Sequence, residues 1–302
     1  MPSSKSAVHM IADKSLHVLV TGATGHQGGV VLRHLKARGH RLRALVRDKG
    51  TSAAKALQAL GVEVFQGSFE DAPAIERASK YVDAAFLMST PAKGPELEKV
   101  EGMAAIDALR GADVPYILYS SVASAQQQTG IPHFDSKFAV EHHLRSSGTP
   151  FAIVAPVAFM ENAIFPFSLP SLRQGQLGFG LPPDKPLQVV ALDDLGAFDT
   201  YVLENPAKFQ GQRVEIASDE VTGLREAEIL SHRTGHPIQY RPVPLDALRQ
   251  RSVDQAKMAE WLMQHGYSVD IERLRRDYPN VGWHRYDEWA AEQDWPRLLA
   301  PS

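Results

Sequence analysis

Between His17 and Leu35 the chain reads HVLVTGATGHQGGVVLRHL. An apolar, β-branched run gives way to helical spacing, and glycines stand between them at Gly22, Gly25 and Gly28. This junction constrains the fold more than any other stretch. Glycine permits a tight strand-to-helix turn and leaves room for close approach. The first N–H groups of the helix lack intrahelical partners and carry the positive end of its dipole. An anion suits that position. Three glycines spaced G-x-x-G-x-x-G, after a strand and opening a helix, point to the pyrophosphate of a dinucleotide. The plainer reading is a tight turn packed with small residues.

The junction begins a regular alternation. Strands are expected at Leu16–Thr21, Arg41–Arg47, Val62–Gln66, Val82–Met88, Val114–Ser120 and Phe151–Ala155. Helices are expected at His26–Arg38, Ser52–Leu60, Asp71–Ser79, Glu96–Arg110 and Ser136–Ser146. In the first helix Val30, Val31, Leu32 and Leu35 share one side, and Gly39 closes the end. Alternation at this spacing implies crossover units, hence an α/β fold with a doubly wound parallel sheet.

The regularity fades after Pro156. FPFSLPSLRQGQLGFGLPPDKP reads as long loop with one short helix. A helix over Asp193–Leu203, a strand over Arg213–Ala217, a strand at IQYRPVP and several polar helices follow. RLRRDYPNVGWHRYDEW reads as an amphipathic terminal helix. The expected organisation is a loose leader over 1–15, a nucleotide-binding domain over 16–156 and a smaller α/β lobe over 157–302. Some of the last part is expected to return to the sheet.

Composition narrows the function. A net charge of −3 over 302 residues gives no basic footprint for nucleic acid or a membrane surface. The absence of cysteine excludes disulfides, thiolate metal sites and a cysteine nucleophile, and fits a reducing compartment such as the cytoplasm. No apolar run reaches the roughly 18 residues that span a bilayer. The 12 histidines include no His-Glu-x-x-His spacing, so no metal site is expected.

The end of the second strand bears on the cofactor. An acidic residue there would bond the ribose 2′-hydroxyl of NAD, whereas a basic one suits the 2′-phosphate of NADP. The chain has LVRDKGTSAAK, with Arg47 at the strand end, Lys49 and Lys55 close behind, and Asp48 between. NADP(H) is preferred and NAD(H) remains possible.

Four segments, VTGATGHQGG, VEVFQGSFED, HFDSKFAVEHHLRSSG and PVAFMENAIF, resemble in order those of the NmrA-like family, an atypical branch of the extended short-chain dehydrogenase/reductases. The resemblance covers Leu16 to about Phe165. It implies a Rossmann domain with a smaller C-terminal substrate lobe. Some members of that family reduce quinones, dyes or carbonyl-like compounds with NAD(P)H. Others bind the cofactor as redox sensors or regulators of transcription factors. Carried over onto this chain, Gly22, Thr24, Gly25, Gln27 and Gly28 cradle the phosphates, and Arg47 and Lys55 face the adenosine ribose. Ser89 and Thr90, in FLMSTPAKG, cross the cofactor. Pro156, Phe159 and Asn162, in APVAFMENAIF, lie where nicotinamide and substrate meet, with Met160 beside them.

Short-chain reductases typically place a serine after the fifth strand and a Tyr-x-x-x-Lys on the next helix. The tyrosine acts as proton donor and the lysine holds the nicotinamide ribose. Here Ser120 or Ser121 takes the serine position, Lys137 the lysine position, and His133 stands where the tyrosine would be. Imidazole suits acid–base work near neutral pH, and a nearby Lys137 would favour its neutral form. His133 either orients or protonates a substrate, or packs at the helix start while water supplies the proton. PFSLPSLRQGQLGF is a candidate lid. Two functions stay open. One is a reductase of a small quinone-like, dye-like or enone substrate; the other is a cofactor sensor with a protein partner. Either is expected as a monomer or homodimer.

Overall fold

The computed structural model describes residues 15–300. The leader expected over 1–15 therefore lies outside the described residues, except for Ser15. In chain order the elements are β1 (His17–Thr21), α1 (His26–Ala37), β2 (Arg41–Val46), α2 (Ser52–Ala59), β3 (Glu63–Gln66), α3 (Ala72–Ser79), β4 (Ala84–Met88), α4 (Pro95–Gly111), β5 (Ile117–Ser120), α5 (Pro132–Ser146) and β6 (Phe151–Pro156). They continue as β7 (Ala158–Phe159), α6 (Leu169–Arg173), β8 (Gln176–Leu177), β9 (Pro186–Val190), α7 (Leu192–Glu204), α8 (Pro206–Phe209), β10 (Arg213–Ile216), β11 (Asp219–Thr222) and α9 (Gly223–Thr234). Last come β12 (Gln239–Tyr240), α10 (Leu245–Arg251), α11 (Val253–Gln264), α12 (Ile271–Asp277), α13 (Tyr286–Ala291) and α14 (Trp295–Leu299).

A seven-stranded sheet runs in the order β10-β6-β5-β4-β1-β2-β3. The pairs joining β1 to β6 are all parallel. The order reverses between β1 and β4, and in such sheets ligands bind beyond the carboxyl ends of the strands at that switch. Strands β1, β4 and β5 are buried almost throughout, as strands covered on both faces must be. Two smaller sheets, β11-β9-β7 and β12-β8, complete the fold.

The chain divides into two compact units. The first holds the described residues up to Ser121, with Ser136–Ala155 and Leu195–Val214. The second holds Val122–Asp135, Pro156–Asp194 and the described residues from Glu215 onward. In the first, Leu19, Ile106, Leu109, Ile117, Tyr119 and Ile153 are completely buried in one core. Helices α4 and α5 meet closely at Gly102, where an added Cβ would lie 2.7 Å from Val140. In the second, Val189, Leu230, Tyr286, Trp289 and Trp295 form a separate core.

Three local expectations are corrected. Helix α5 begins at Pro132, not Ser136, because proline at the first helical position gives up no hydrogen bond and presets φ. IQYRPVP forms only the two-residue β12, paired with β8, since Pro242 and Pro244 cannot donate to a ladder. The terminal amphipathic stretch is two helices, α12 and α13, separated at Pro279 and at Gly282 with φ +81°.

Candidate functional site

The glycine junction is built as a cradle. Gly22 has φ +63°, and an added Cβ there would meet the Met88 sulfur at 2.8 Å. At Gly28 an added Cβ would stand 2.5 Å from the carbonyl oxygens of Thr21 and Gly22, so the first turn of α1 presses directly on the end of β1. The Gly25 N–H donates to the Gly22 carbonyl at 2.8 Å and closes the turn. No side chain caps α1 and no acid lies in its first turn. Its leading N–H groups stand ready for an anion. Thr24 is exposed beside them. Gln27 accepts a hydrogen bond from the Ser120 hydroxyl at 2.6 Å.

At the end of β2 the charges sort themselves. The Asp48 carboxylate accepts from the Gly50 N–H at 2.7 Å and so serves its own turn. Thr51 caps α2 by accepting from the Ala54 N–H. Lys49 lies over the Phe65 ring. Arg47 and Lys55 are exposed, and their side chains have no hydrogen-bonding or ionic partner among the described residues.

Lys137 is held in a buried polar network within the first unit. Its Nζ lies 2.8 Å from Glu98 Oε1 and donates to the Ser89 carbonyl at 3.0 Å. The Ser89 hydroxyl donates to Glu98 Oε1 at 3.0 Å, and Ser136 donates to Oε2 at 2.6 Å. The Tyr119 hydroxyl lies 2.9 Å from Ser89 Oγ, and complete burial pushes that phenol well above its ordinary pKa. Thus the ammonium and its carboxylate are paired and satisfied, as a buried charge requires. Ser89 belongs to this network through both its hydroxyl and its carbonyl, and Thr90 beside it is exposed.

The serines after β5 are also engaged. Ser121 is buried and its hydroxyl donates to Glu141, whose other oxygen accepts from Arg213 Nε at 2.9 Å. Because α5 starts early, His133 already lies on it, one turn before Lys137. The His133 ring nitrogen Nδ1 pairs with Asp254 Oδ2 at 2.6 Å, and its backbone N–H donates to Oδ1 at 2.9 Å. Burial works to raise the Asp254 carboxyl, but these contacts outweigh it and hold the carboxyl below its ordinary value.

The second unit contains a cavity of about 650 Å³. Phe159, Met160 and Asn162 line it, and Phe167 to Phe179 of the expected lid segment supply one wall; Pro156 is buried and is not among its lining. Leu187, Val189, Val221 and Tyr240 add apolar surface. Two carboxyls stand in or near this core. Glu161 accepts from the Leu192 N–H at 3.1 Å and from Trp289 Nε1 at 3.0 Å. Burial pushes it up to about 7, with those bonds opposing. Glu226 lines the cavity itself, and burial alone pushes it up to about 8. Among the described residues its carboxyl has no hydrogen-bonding or ionic partner.

Glu98 and Glu226 were not singled out from sequence, yet both leave a trace there. Glu98, Glu101, Gly102, Ala105, Ile106 and Leu109 trace one helical stripe and all are buried. A glutamate on a core stripe calls for a cation. Glu226 stands four residues before the fully buried Leu230, again on the buried side. Among the described residues no three His, Asp or Glu side chains converge as a metal would need, and no helix is long and apolar enough to cross a membrane.

Known proteins resemble this chain over most of its length. A (4-alkanoyl-5-oxo-2,5-dihydrofuran-3-yl)methyl phosphate reductase of Streptomyces griseus is 28% identical, covering 77% of this chain and 79% of the relative. The nitrogen metabolite repression protein nmrA of Emericella nidulans is 25% identical, covering 78% and 70%. The structure of a Citrobacter triphenylmethane reductase complexed with NADP(H) superposes with a TM-score of 0.77 at 22% identity, covering 92% and 99%. A model of the NmrA-like family matches residues 14–290, and with the glycine cradle and parallel sheet in view the chain belongs to the NmrA-like family.

Proposed function

We propose that this protein is an NAD(P)H-dependent oxidoreductase, with NADP(H) preferred, that transfers hydride to a small quinone-like, dye-like or carbonyl/enone acceptor. One observation carries the cofactor reading: an added Cβ at Gly28 would stand 2.5 Å from the Thr21 and Gly22 carbonyl oxygens, so α1 starts directly against the end of β1 with no side-chain cap, the setting in which a helix N-terminus takes a pyrophosphate. The residues present fit such a group. The first-turn N–H groups hold the diphosphate, while Arg47 and Lys55 read a 2′-phosphate. Lys137, oriented by Glu98 and the Ser89 carbonyl, hydrogen-bonds a ribose hydroxyl. When bound, the nicotinamide supplies the hydride. The second-unit cavity takes the acceptor on apolar and aromatic walls. Being reductases, the Streptomyces and Citrobacter relatives support this reading.

A cofactor-sensing regulator is the second reading. It is favoured by the engagement of Ser121 with Glu141 and of His133 with Asp254, which leaves neither group committed to a substrate. It is also favoured by the Emericella relative, whose name is that of a repression protein. The test is NADPH oxidation, followed by absorbance, against a panel of quinones, cationic dyes and enones. Turnover near the usual enzyme median of about 10 s⁻¹ on any of them supports the reductase. Turnover below about 10⁻² s⁻¹ on all, with tight NADPH binding, supports the sensor.

A further inference from the structure

We propose that Glu226 is a ligand-reading group, donating a hydrogen bond from its carboxyl to a carbonyl oxygen of a small, mostly apolar anion held in the second-unit cavity. This deepens the proposed function by naming the class of acceptor, and it rests on the reading that the cavity takes that acceptor.

The placement of Glu226 is deliberate in physical terms. Thr222 caps α9 by accepting from the Arg225 N–H at 3.2 Å. Gly223 opens the helix against the Tyr240 ring, where an added Cβ would stand 2.3 Å from a ring carbon. That close seat sets the first turn, and Glu226 follows within it. The carboxyl borders the cavity, which accounts for its partial exposure, while protein surrounds its other sides. A carboxyl kept out of bulk water and given no partner is costly in its charged form. Burial accordingly raises it to about 8, so near neutral pH it carries a proton and can donate.

The rest of the lining decides what it donates to. Lys185, Arg241 and Arg251 also line the cavity, and no carboxylate other than Glu226 does. Arg241 and Arg251 are exposed, so they mark the solvent side. None of the three pairs with Glu226 among the described residues. With Glu226 protonated the lining carries three positive charges and no negative one, which repels an ammonium guest and attracts an anion. The Tyr240 hydroxyl donates to the Leu181 carbonyl at 2.8 Å and is already engaged. Glu226 is thus the unengaged acid on this wall. A guest that meets every group has an anionic end, an apolar body and a carbonyl. For a hydride acceptor, a donor on the carbonyl oxygen also withdraws electron density from the carbon that is reduced.

Titration of purified protein, without cofactor, by calorimetry tests this. The probes are 3-(2-naphthoyl)propanoate, its ketone-free analogue 4-(2-naphthyl)butanoate, and 4-(2-naphthyl)butylamine. At pH 6.5 the keto acid is expected to bind about tenfold more tightly than the ketone-free acid, the worth of one well-made hydrogen bond in a buried site. At pH 9.5 that advantage disappears as Glu226 ionises. Glu226→Gln keeps an N–H donor and retains the advantage at both pH values; Glu226→Leu loses it at both.

Other groups packed near Glu226 do not confuse the profile. Tyr240 is raised to about 12 and Tyr286, on α13, lies well above its ordinary value, so both are silent over this range. Lys185, Arg241 and Arg251 face the keto acid and the ketone-free acid alike, so comparing the two acids cancels them. Glu161 titrates near 7, and Glu226→Gln reports its contribution alone. Stronger binding of the amine than of the keto acid overturns the proposal, as does equal binding of the two acids or no binding of any probe. The wild-type comparison needs no variant to fold. Loss of probe binding with turnover of quinones intact rejects this inference alone; selective keto-acid binding without turnover of any acceptor rejects the reductase reading alone.

Discussion

The glycine cradle and the second-unit cavity, read as the two halves of the proposed site, are built by opposite means. In the cradle the backbone does the work: a turn, the head of a helix and two carbonyls meet so closely that a methyl group does not fit. In the cavity the side chains do the work, brought from β7, α6, β9, α9, β12 and α10. A backbone site is tolerant of which nucleotide it binds but intolerant of substitution. A side-chain site is the reverse, since each wall residue can change alone. The difference suits a fold that is shared by relatives named as reductases and as a repression protein.

The strongest way to break this comparison is to attack the Lys137 side-chain network in the first unit. Glu98→Ala leaves Lys137 without its carboxylate, and takes one hydrogen-bond acceptor from each of the Ser89 and Ser136 hydroxyls. The expected cost is about 3–5 kcal/mol, a fall in melting temperature on the order of 10 °C. A loss below about 1 kcal/mol in chemical denaturation would show that the network is not held as buried charge.

The second test contrasts two neighbouring glycines. Gly28→Ala forces backbone apart, and overpacking of this kind costs about 1–3 kcal/mol. Because the displaced atoms are the cradle, NADPH affinity should fall by roughly 10- to 100-fold in a fluorescence titration. Gly29→Ala, where the added Cβ meets the Ala23 carbonyl at 3.5 Å, should bind within about twofold of wild type. Equal behaviour of the two variants would remove the backbone argument.

Smaller effects sharpen the picture. Removing the free cations in Arg47→Ala with Lys55→Ala should weaken NADPH roughly tenfold while leaving NADH nearly unchanged, with the loss shrinking as salt is added. An equal loss for both nucleotides would mean that neither side chain reads the 2′-phosphate.

The least effect belongs to a polar cluster of the second unit. His284 Nδ1 lies 2.5 Å from Asp194 Oδ1, and chiefly this hydrogen bond, against burial, raises the histidine to about 9. A histidine with a raised folded pKa contributes its stability fully below about pH 6.5 and loses it as the pH rises through about 9. Wild type should thus lose about 1 kcal/mol more than His284→Gln over that window, the ring being half-buried and screened. Parallel melting curves for the two proteins across pH would remove the pair from the account.

What could be read from sequence follows the same division. The strand–helix alternation and the cradle depend on residues near one another in the chain, so apolar periodicity and glycine spacing expose them. Lys137 also stood out, through its place in HFDSK. Its partner Glu98 did not, because the pairing joins α4 to α5 and needs the sheet to bring them together. Glu226 was hidden for a related reason. A glutamate within LREAEIL reads as a solvated helix face until Tyr240 and the cavity walls are seen around it. Asp48 shows a smaller version of the same difficulty. Its sign argued against NADP, and only the bond to Gly50 reveals that the charge serves its own turn.

The first unit is assembled from three separate lengths of chain, the last ending at Val214. During synthesis, β6 emerges about 60 residues before β10, the strand that covers its open side. At 5–20 residues per second that interval lasts roughly 3–12 s, during which β6 is an unprotected edge able to pair with another chain. A fragment cut at Ala155 would keep that edge permanently. The whole seven-stranded sheet is therefore to be expected only from a chain that has been translated past the inserted lobe segment.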